Sequence, residues 1–187
     1  MTTLKTILYR GGLVSFEIPA DWAEEYEEDG GGTFYSARPN AGTLYLSVIT
    51  AKMDGGIDAS IASRQTITLA ERSAAQEVGT TPVVTALPNG SVVSYFTCPG
   101  SRAGASSLRC PGEDNGRPLT MHRWLLGAGL QPDVMRLASF TYAVEAAFDA
   151  DAGNVADVEV IDAAIKRAVF STTTSVVPGG NPPTLAV

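Results

Sequence analysis

Apolar residues alternate with polar ones over most of the chain, and the alternation is broken at regular intervals by glycine and proline. That pattern predicts many strands. Leu4–Tyr9 and Leu13–Ile18 flank Gly11-Gly12 and read as a hairpin with a glycine turn. Pro19-Ala20-Asp21-Trp22 stops the second strand. Glu24, Glu25, Glu27, Glu28 and Asp29 then lead into Gly30-Gly31-Gly32, which reads as a solvated loop. Thr33–Ala37 and Leu44–Ala51 form the next hairpin, turning through Pro39-Asn40-Ala41-Gly42. Leu44, Leu46 and Val48 share one face of the second strand, and Tyr45 and Ile49 share the other. Apolar residues on both faces predict a central strand covered on both sides.

Residues 57–78 are rich in Ala, Glu, Gln and Arg and predict a helix ending at Gly79. Ile57, Ile61 and Leu69 keep rough helical spacing, which Ile67 and two threonines blur. Four strand-like runs follow: Pro82–Leu87, Val92–Cys98, Leu119–Leu126 and Val134–Val144. Pro88-Asn89-Gly90 turns between the first two, and Gly127–Asp133 between the last two. The Gly-, Ser- and Pro-rich stretch Pro99–Pro118 is a long loop, a feature often tied to function.

The clearest helix lies over residues 155–170. Val155, Val158, Ile161, Ile165 and Val169 step by three or four residues and form one stripe that needs a sheet to cover. Asn154 is placed to cap the helix, with Asp157 completing a box-like arrangement. Asp162 and Lys166 are spaced to pair across one turn. From Ser171 the chain is Ser, Thr, Val, Pro and Gly without periodicity, an extended tail over 171–187. The tail's Val176, Val177 and Leu185 suit an apolar groove or addition to a sheet edge, and the tail is expected to cover a binding groove on this domain or on a dimer mate. The expected order is four strands, a helix, four strands and a helix. Tight turns favour antiparallel neighbours, so residues 1–170 are expected to form a single α+β domain: a mainly antiparallel twisted sheet with helices packed on it.

The composition agrees with a folded domain: 187 residues, 44% apolar and 18% charged. Net charge is −7, and the 13 Lys and Arg are scattered, which argues against nucleic acid or an anionic membrane as partner. The first ten residues lack the features of a secretory signal, and no apolar run approaches the length of a membrane span. The expected compartment is the cytoplasm.

Phe16-Glu17-Ile18-Pro19-Ala20-Asp21-Trp22, an extended strand entering a Pro-x-x-Trp corner, is followed by a Gly-rich turn and the strand Phe34–Ala37. This opening resembles the PsbP-like superfamily, which includes the Ran-binding Mog proteins and the bacterial DcrB-like proteins. The resemblance is closest over residues 13–52 and looser over 118–170. It implies an α/β/α sandwich around an antiparallel sheet, and a family that mostly binds proteins. The loop at 99–118 and the tail depart from the short bacterial members.

Candidate chemistry is sparse. His122 is the single histidine, set in a strand pattern beside Trp124. A nucleophile needs a base beside it, and no Gly-x-Ser-x-Gly turn is present. Cys98, Cys110 and His122 form Cys-x11-Cys-x11-His, too widely spaced for a usual zinc site. Two reduced thiols are the expectation, with a disulfide closing the loop as the alternative. Gly127-Ala128-Gly129 lacks the third glycine and following helix of a dinucleotide loop and reads as a turn. No cofactor or metal is expected. Two functions remain open. One is a non-catalytic bacterial binding module of chaperone, adaptor or immunity type, whose partner is another protein or a second copy. The other is a small-molecule binder or unfamiliar enzyme using the 99–118 loop and His122. Trp22, Cys98, Cys110, His122 and Trp124 are the residues singled out for contact with a ligand or partner.

Overall fold

The computed structural model describes residues 3–28, 30–53, 58–78, 81–100 and 117–172. The Cys110 thiol, most of the 99–118 loop and the tail beyond Thr172 lie outside the described residues, so the disulfide and groove-covering expectations fall there too.

Among the described residues ten strands, β1 (Leu4–Tyr9), β2 (Val14–Pro19), β3 (Ala23–Tyr26), β4 (Gly32–Tyr35), β5 (Thr43–Lys52), β6 (Val83–Ala86), β7 (Val92–Gly100), β8 (Leu119–Gln131), β9 (Val134–Glu145) and β10 (Val169–Phe170), form two sheets. All their pairings are antiparallel. The larger sheet has seven strands in the order β3-β4-β5-β9-β8-β7-β6, and the smaller has the order β1-β2-β10. Helix α1 (Ala59–Val78) lies on one face of the large sheet. Helix α2 (Ala152–Arg167) and the small sheet share the other face, so the fold is an α+β sandwich.

Cross-strand register fixes which side chain faces which layer, because side chains alternate along a strand. The row Leu46–Phe140–Trp124–Tyr95 points to the small sheet and α2. The row Ser47–Ser139–Leu125–Ser94 points the opposite way. Phe16 of β2 packs edge-on against Phe34 and Phe140 and joins the two sheets. Trp22 closes the corner after Pro19: its N–H donates to the Pro19 carbonyl, and its ring stacks on Tyr142.

Several expectations are corrected. The first hairpin forms, but in the small sheet. The acidic stretch is an edge strand over Ala23–Tyr26, with Glu24 and Tyr26 hydrogen-bonded side by side. Strand β5 is interior by pairing, yet Ile49 is exposed, because α1 lies over β7, β8 and β9 instead. Gly127-Ala128-Gly129 is strand, and β8 and β9 turn at Pro132-Asp133. The two glycines let α1 lie close: a Cβ on Gly129 would stand 2.5 Å from the Ser60 backbone nitrogen, and one on Gly127 2.8 Å from Ile67. Helix α1 buries Ala59, Ala62, Ser63 and Ile67, whereas Ile61 and Leu69 face solvent. The residue that blurred the expected stripe is the one that packs. The Asp58 carboxylate accepts the Ser60 and Ile61 N–H groups and caps the helix start.

Helix α2 starts at Ala152 and ends at Arg167, with Ala168 leading into β10. Ile161 and Ile165 are buried and Val158 packs against the core. Val155 and Val169 are exposed, the latter on the outer face of β10. Asn154 lies inside the helix and does not cap it. The Asp162–Lys166 pair forms at 2.6 Å. Arg136, 1% exposed, ties the layers at the chain's exit: it donates to the carbonyls of Leu13 and Ser171 and to the Thr50 hydroxyl.

Candidate functional site

On the α2 side of the large sheet, β6 and β7 face the helix across a gap. The gap is an open groove enclosing about 320 Å³. Val83, Thr85, Val93 and Tyr95 form its strand wall, and Val158, Glu159, Asp162 and Lys166 its helix wall. Each strand residue is there because it is odd-numbered in a register that turns odd positions of β6 and β7 toward α2. Val83 is 63% exposed at the rim, while Val93 is buried at the floor.

Trp124 lies against Tyr95 with ring centroids 5.0 Å apart. Its indole N–H donates to Asp162 at 3.1 Å, and Lys166 holds the other carboxylate oxygen. Asp162 is thus neutralised and tied to the floor. Glu159 stands exposed on the same wall.

Beside this floor a polar chain runs across three elements. The Tyr95 hydroxyl is 2.9 Å from Nδ1 of His122, and Nε2 of His122 is 2.8 Å from Asp149. Asp149 belongs to the turn that follows a short 3-10 helix, Ala146–Phe148, and precedes α2. A carboxylate only accepts, so Nε2–H donates to Asp149, and in the neutral ring Nδ1 accepts the Tyr95 O–H. The Thr97 hydroxyl, 3.2 Å away, then donates to the Tyr95 oxygen. Both nitrogens of His122 are therefore engaged, and the ring is sandwiched among Tyr95, Trp124 and Tyr142. This arrangement holds Tyr95 in place and anchors the start of α2.

The residues singled out from sequence thus separate. His122 and Trp124 come together behind the groove. Trp22 is buried in the core on Tyr142. Cys98 is buried on the opposite face of the sheet from His122, since Thr97 is the residue paired with His122 and Cys98 pairs with Met121. Among the described residues no group of three His, Cys, Asp or Glu side chains is placed to hold a metal ion. The groove residues Val83, Val93, Tyr95 and Glu159 were not evident beforehand. Their common face depends on the β6–β7 register and on where α2 lies, which a single strand pattern does not contain.

No protein-family profile matches the chain, and no curated protein sequence does. Solved structures do share its fold. A crystal structure from Bacteroides thetaiotaomicron matches 89% of this chain at 16% identity and a TM-score of 0.52; the match spans 48% of that longer chain, about half its length. LpqN of Mycobacterium tuberculosis, involved in cell envelope biogenesis, matches over 90% of this chain and 91% of its own, at 13% identity and a TM-score of 0.55. The Ran-binding protein Mog1p of Saccharomyces cerevisiae matches over 91% of this chain and 96% of its own, at 12% identity and a TM-score of 0.50. The likeness is one of fold, and it includes a Mog protein, as the Pro-x-x-Trp opening implied. Among the described residues no helix is long and apolar enough to cross a membrane.

Proposed function

We propose that this chain is a non-catalytic bacterial protein-binding module of chaperone, adaptor or immunity type, acting in the cytoplasm. The observation that carries the reading is the groove between β6–β7 and α2: open, walled by Val83, Val93, Tyr95 and Val158, with Val83 exposed at its rim. Such a surface suits a protein segment better than a small molecule, which needs burial on most sides. Mog1p, of similar fold, is a Ran-binding protein, which supports a protein as the class of partner here. A photo-cross-linking residue placed at Val83 in the source organism tests the reading. The expected result is a discrete protein adduct that is absent when the same residue replaces exposed Leu8 on the small sheet. Equal labelling from both positions, or none from Val83, rejects the reading.

The chain Tyr95–His122–Asp149 favours a second reading, a small-molecule binder or enzyme using His122 and the 99–118 loop. Loss of a ligand-induced thermal shift on His122→Asn, with no protein adduct formed from Val83, would select it.

A further inference from the structure

The two edges of the large sheet are guarded differently. β3 carries Glu24 and Glu25, and charges on an edge repel an incoming strand. β6, at the other edge, reads Val83-Val84-Thr85-Ala86, without a charge, and Val83, Val84 and Ala86 are all exposed. Among the described residues β7 is the only strand that pairs with β6, and the direction of the β6 backbone groups follows from that pairing. Leu87 N–H donates to the Ser91 carbonyl at 2.8 Å, so Leu87 is turned toward β7. Hydrogen-bonding direction alternates along an antiparallel strand, so Thr85 and Val83 also turn toward β7. The N–H and C=O groups of Val84 and Ala86 therefore point away from the sheet. Pro82 falls in the same outward set, where its missing N–H breaks no ladder bond.

We propose that β6 is a docking edge to which an extended segment of a partner protein adds as an eighth strand, with a Lys or Arg of that segment facing Glu159 of α2. The proposal rests on the protein-binding reading and specifies how the partner is held. Backbone groups of Val84 and Ala86 supply the ladder, and alternate side chains of the added strand enter the groove beside Val83 and Thr85. Charge selects the occupant. Asp162 is already paired with Lys166, which leaves Glu159 as the carboxylate facing the added strand in a chain of net charge −7. The β6 strand of a second copy, Val83-Val84-Thr85-Ala86, has no cation of its own to set against Glu159, and such pairing sets two acidic chains together.

The full chain is titrated with a fluorescein-labelled peptide that alternates Val and Thr between terminal lysines. A second peptide is N-methylated at alternate residues, so that it keeps its side chains but loses the donors facing the edge. The parent peptide is expected to bind, and the methylated one to bind at least about 10-fold more weakly, the equivalent of one or two hydrogen bonds. Val84→Pro should cause a similar loss, and Glu159→Gln a smaller loss that salt abolishes. Equal binding of the two peptides overturns strand addition, as does failure of the parent to bind. In either case a cross-link from Val83 would leave the protein-binding reading standing. A dimer of the protein alone that Val84→Pro dissolves also overturns the proposal, by assigning the edge to a second copy.

Discussion

The Tyr142 hydroxyl lies 3.0 Å from the carboxylate of Asp157, inside the seam between β9 and α2. It also accepts the Gly42 N–H at 2.9 Å, and Arg38 reaches the same carboxylate at 2.5 Å. Asn154, fully buried, donates to the carbonyls of Asn40 and Phe148 and presents its side-chain oxygen to Tyr142 and Arg38. Four side chains thus fasten the β4–β5 loop to the first turns of α2. Tyr142→Phe keeps the ring stacked on Trp22 but strands the Gly42 N–H and weakens the hold on Asp157. Unfolding by urea should show a loss of about 1–3 kcal/mol with an unchanged slope.

The same seam has a pH signature. Burial raises the Asp157 pKa above its ordinary value, outweighing the Tyr142 and Arg38 contacts that lower it. A carboxyl whose folded pKa is raised binds protons more readily folded than unfolded, so its contribution is most favourable below the unfolded value and falls as pH rises through the folded one. The stability of the native chain relative to Asp157→Asn should therefore increase as pH falls through the raised pKa of Asp157 toward the ordinary carboxylate value near 3.9. Paired urea titrations at stepped pH measure this difference. A difference that shrinks on acidification contradicts the assignment.

Asn154 and Asp157 show where sequence reading stopped short. The polar spacing at the start of α2 looked like a cap, because capping uses the same residue types at the same separation. The residues are instead spent on partners over a hundred positions earlier, Arg38 and Asn40, which no local pattern reveals. Eight of the ten strands, the antiparallel order, the Pro-x-x-Trp corner and α2 were legible because alternation, turn chemistry and a 3.6-residue stripe are local; β3, whose charges read as a solvated loop, and the two-residue β10 were not. The split into two sheets was not, since Phe16 and Phe140 meet only after the chain has folded back. The groove depends on that same long-range placement.

Gly129 and Gly127 provide a graded test of helix approach. An alanine Cβ at 129 would meet backbone of α1, at 2.5 Å from the Ser60 nitrogen and 2.8 Å from its Cα. At 127 the nearest atoms, both at 2.8 Å, are the ends of Ile67 and Leu137 side chains, which can rotate away. Gly129→Ala should cost about 1–3 kcal/mol, and Gly127→Ala less. Thermal melts of the two variants check the order.

Arg136 predicts a local consequence at the chain's exit. Its guanidinium bridges the Leu13 and Ser171 carbonyls, and burial lowers its pKa. Arg136→Met fills much of the same volume but removes one donor from each of those carbonyls, at a cost of about 1–3 kcal/mol in all. The Ser171 N–H, which donates to Leu13, should then exchange with solvent far faster than amides in β5 and β9. Uniform acceleration across the sheet would instead mean global destabilisation.

Ile165 and Val169 lie on one stripe by spacing and part company in the structure. Ile165 is 1% exposed on α2, whereas Val169 is 56% exposed on β10, because the helix ends at Arg167 and the extended residue after Ala168 turns its side chain outward. Burial decides the cost of truncation: a cavity forms only where neighbours enclose the side chain. Ile165→Ala should lose about 2–5 kcal/mol, and Val169→Ala should stay within about 0.5 kcal/mol of the native chain. Equal losses would place the helix end two residues later and return Val169 to the core. The comparison therefore tests the α2–β10 junction that sends the chain past Arg136.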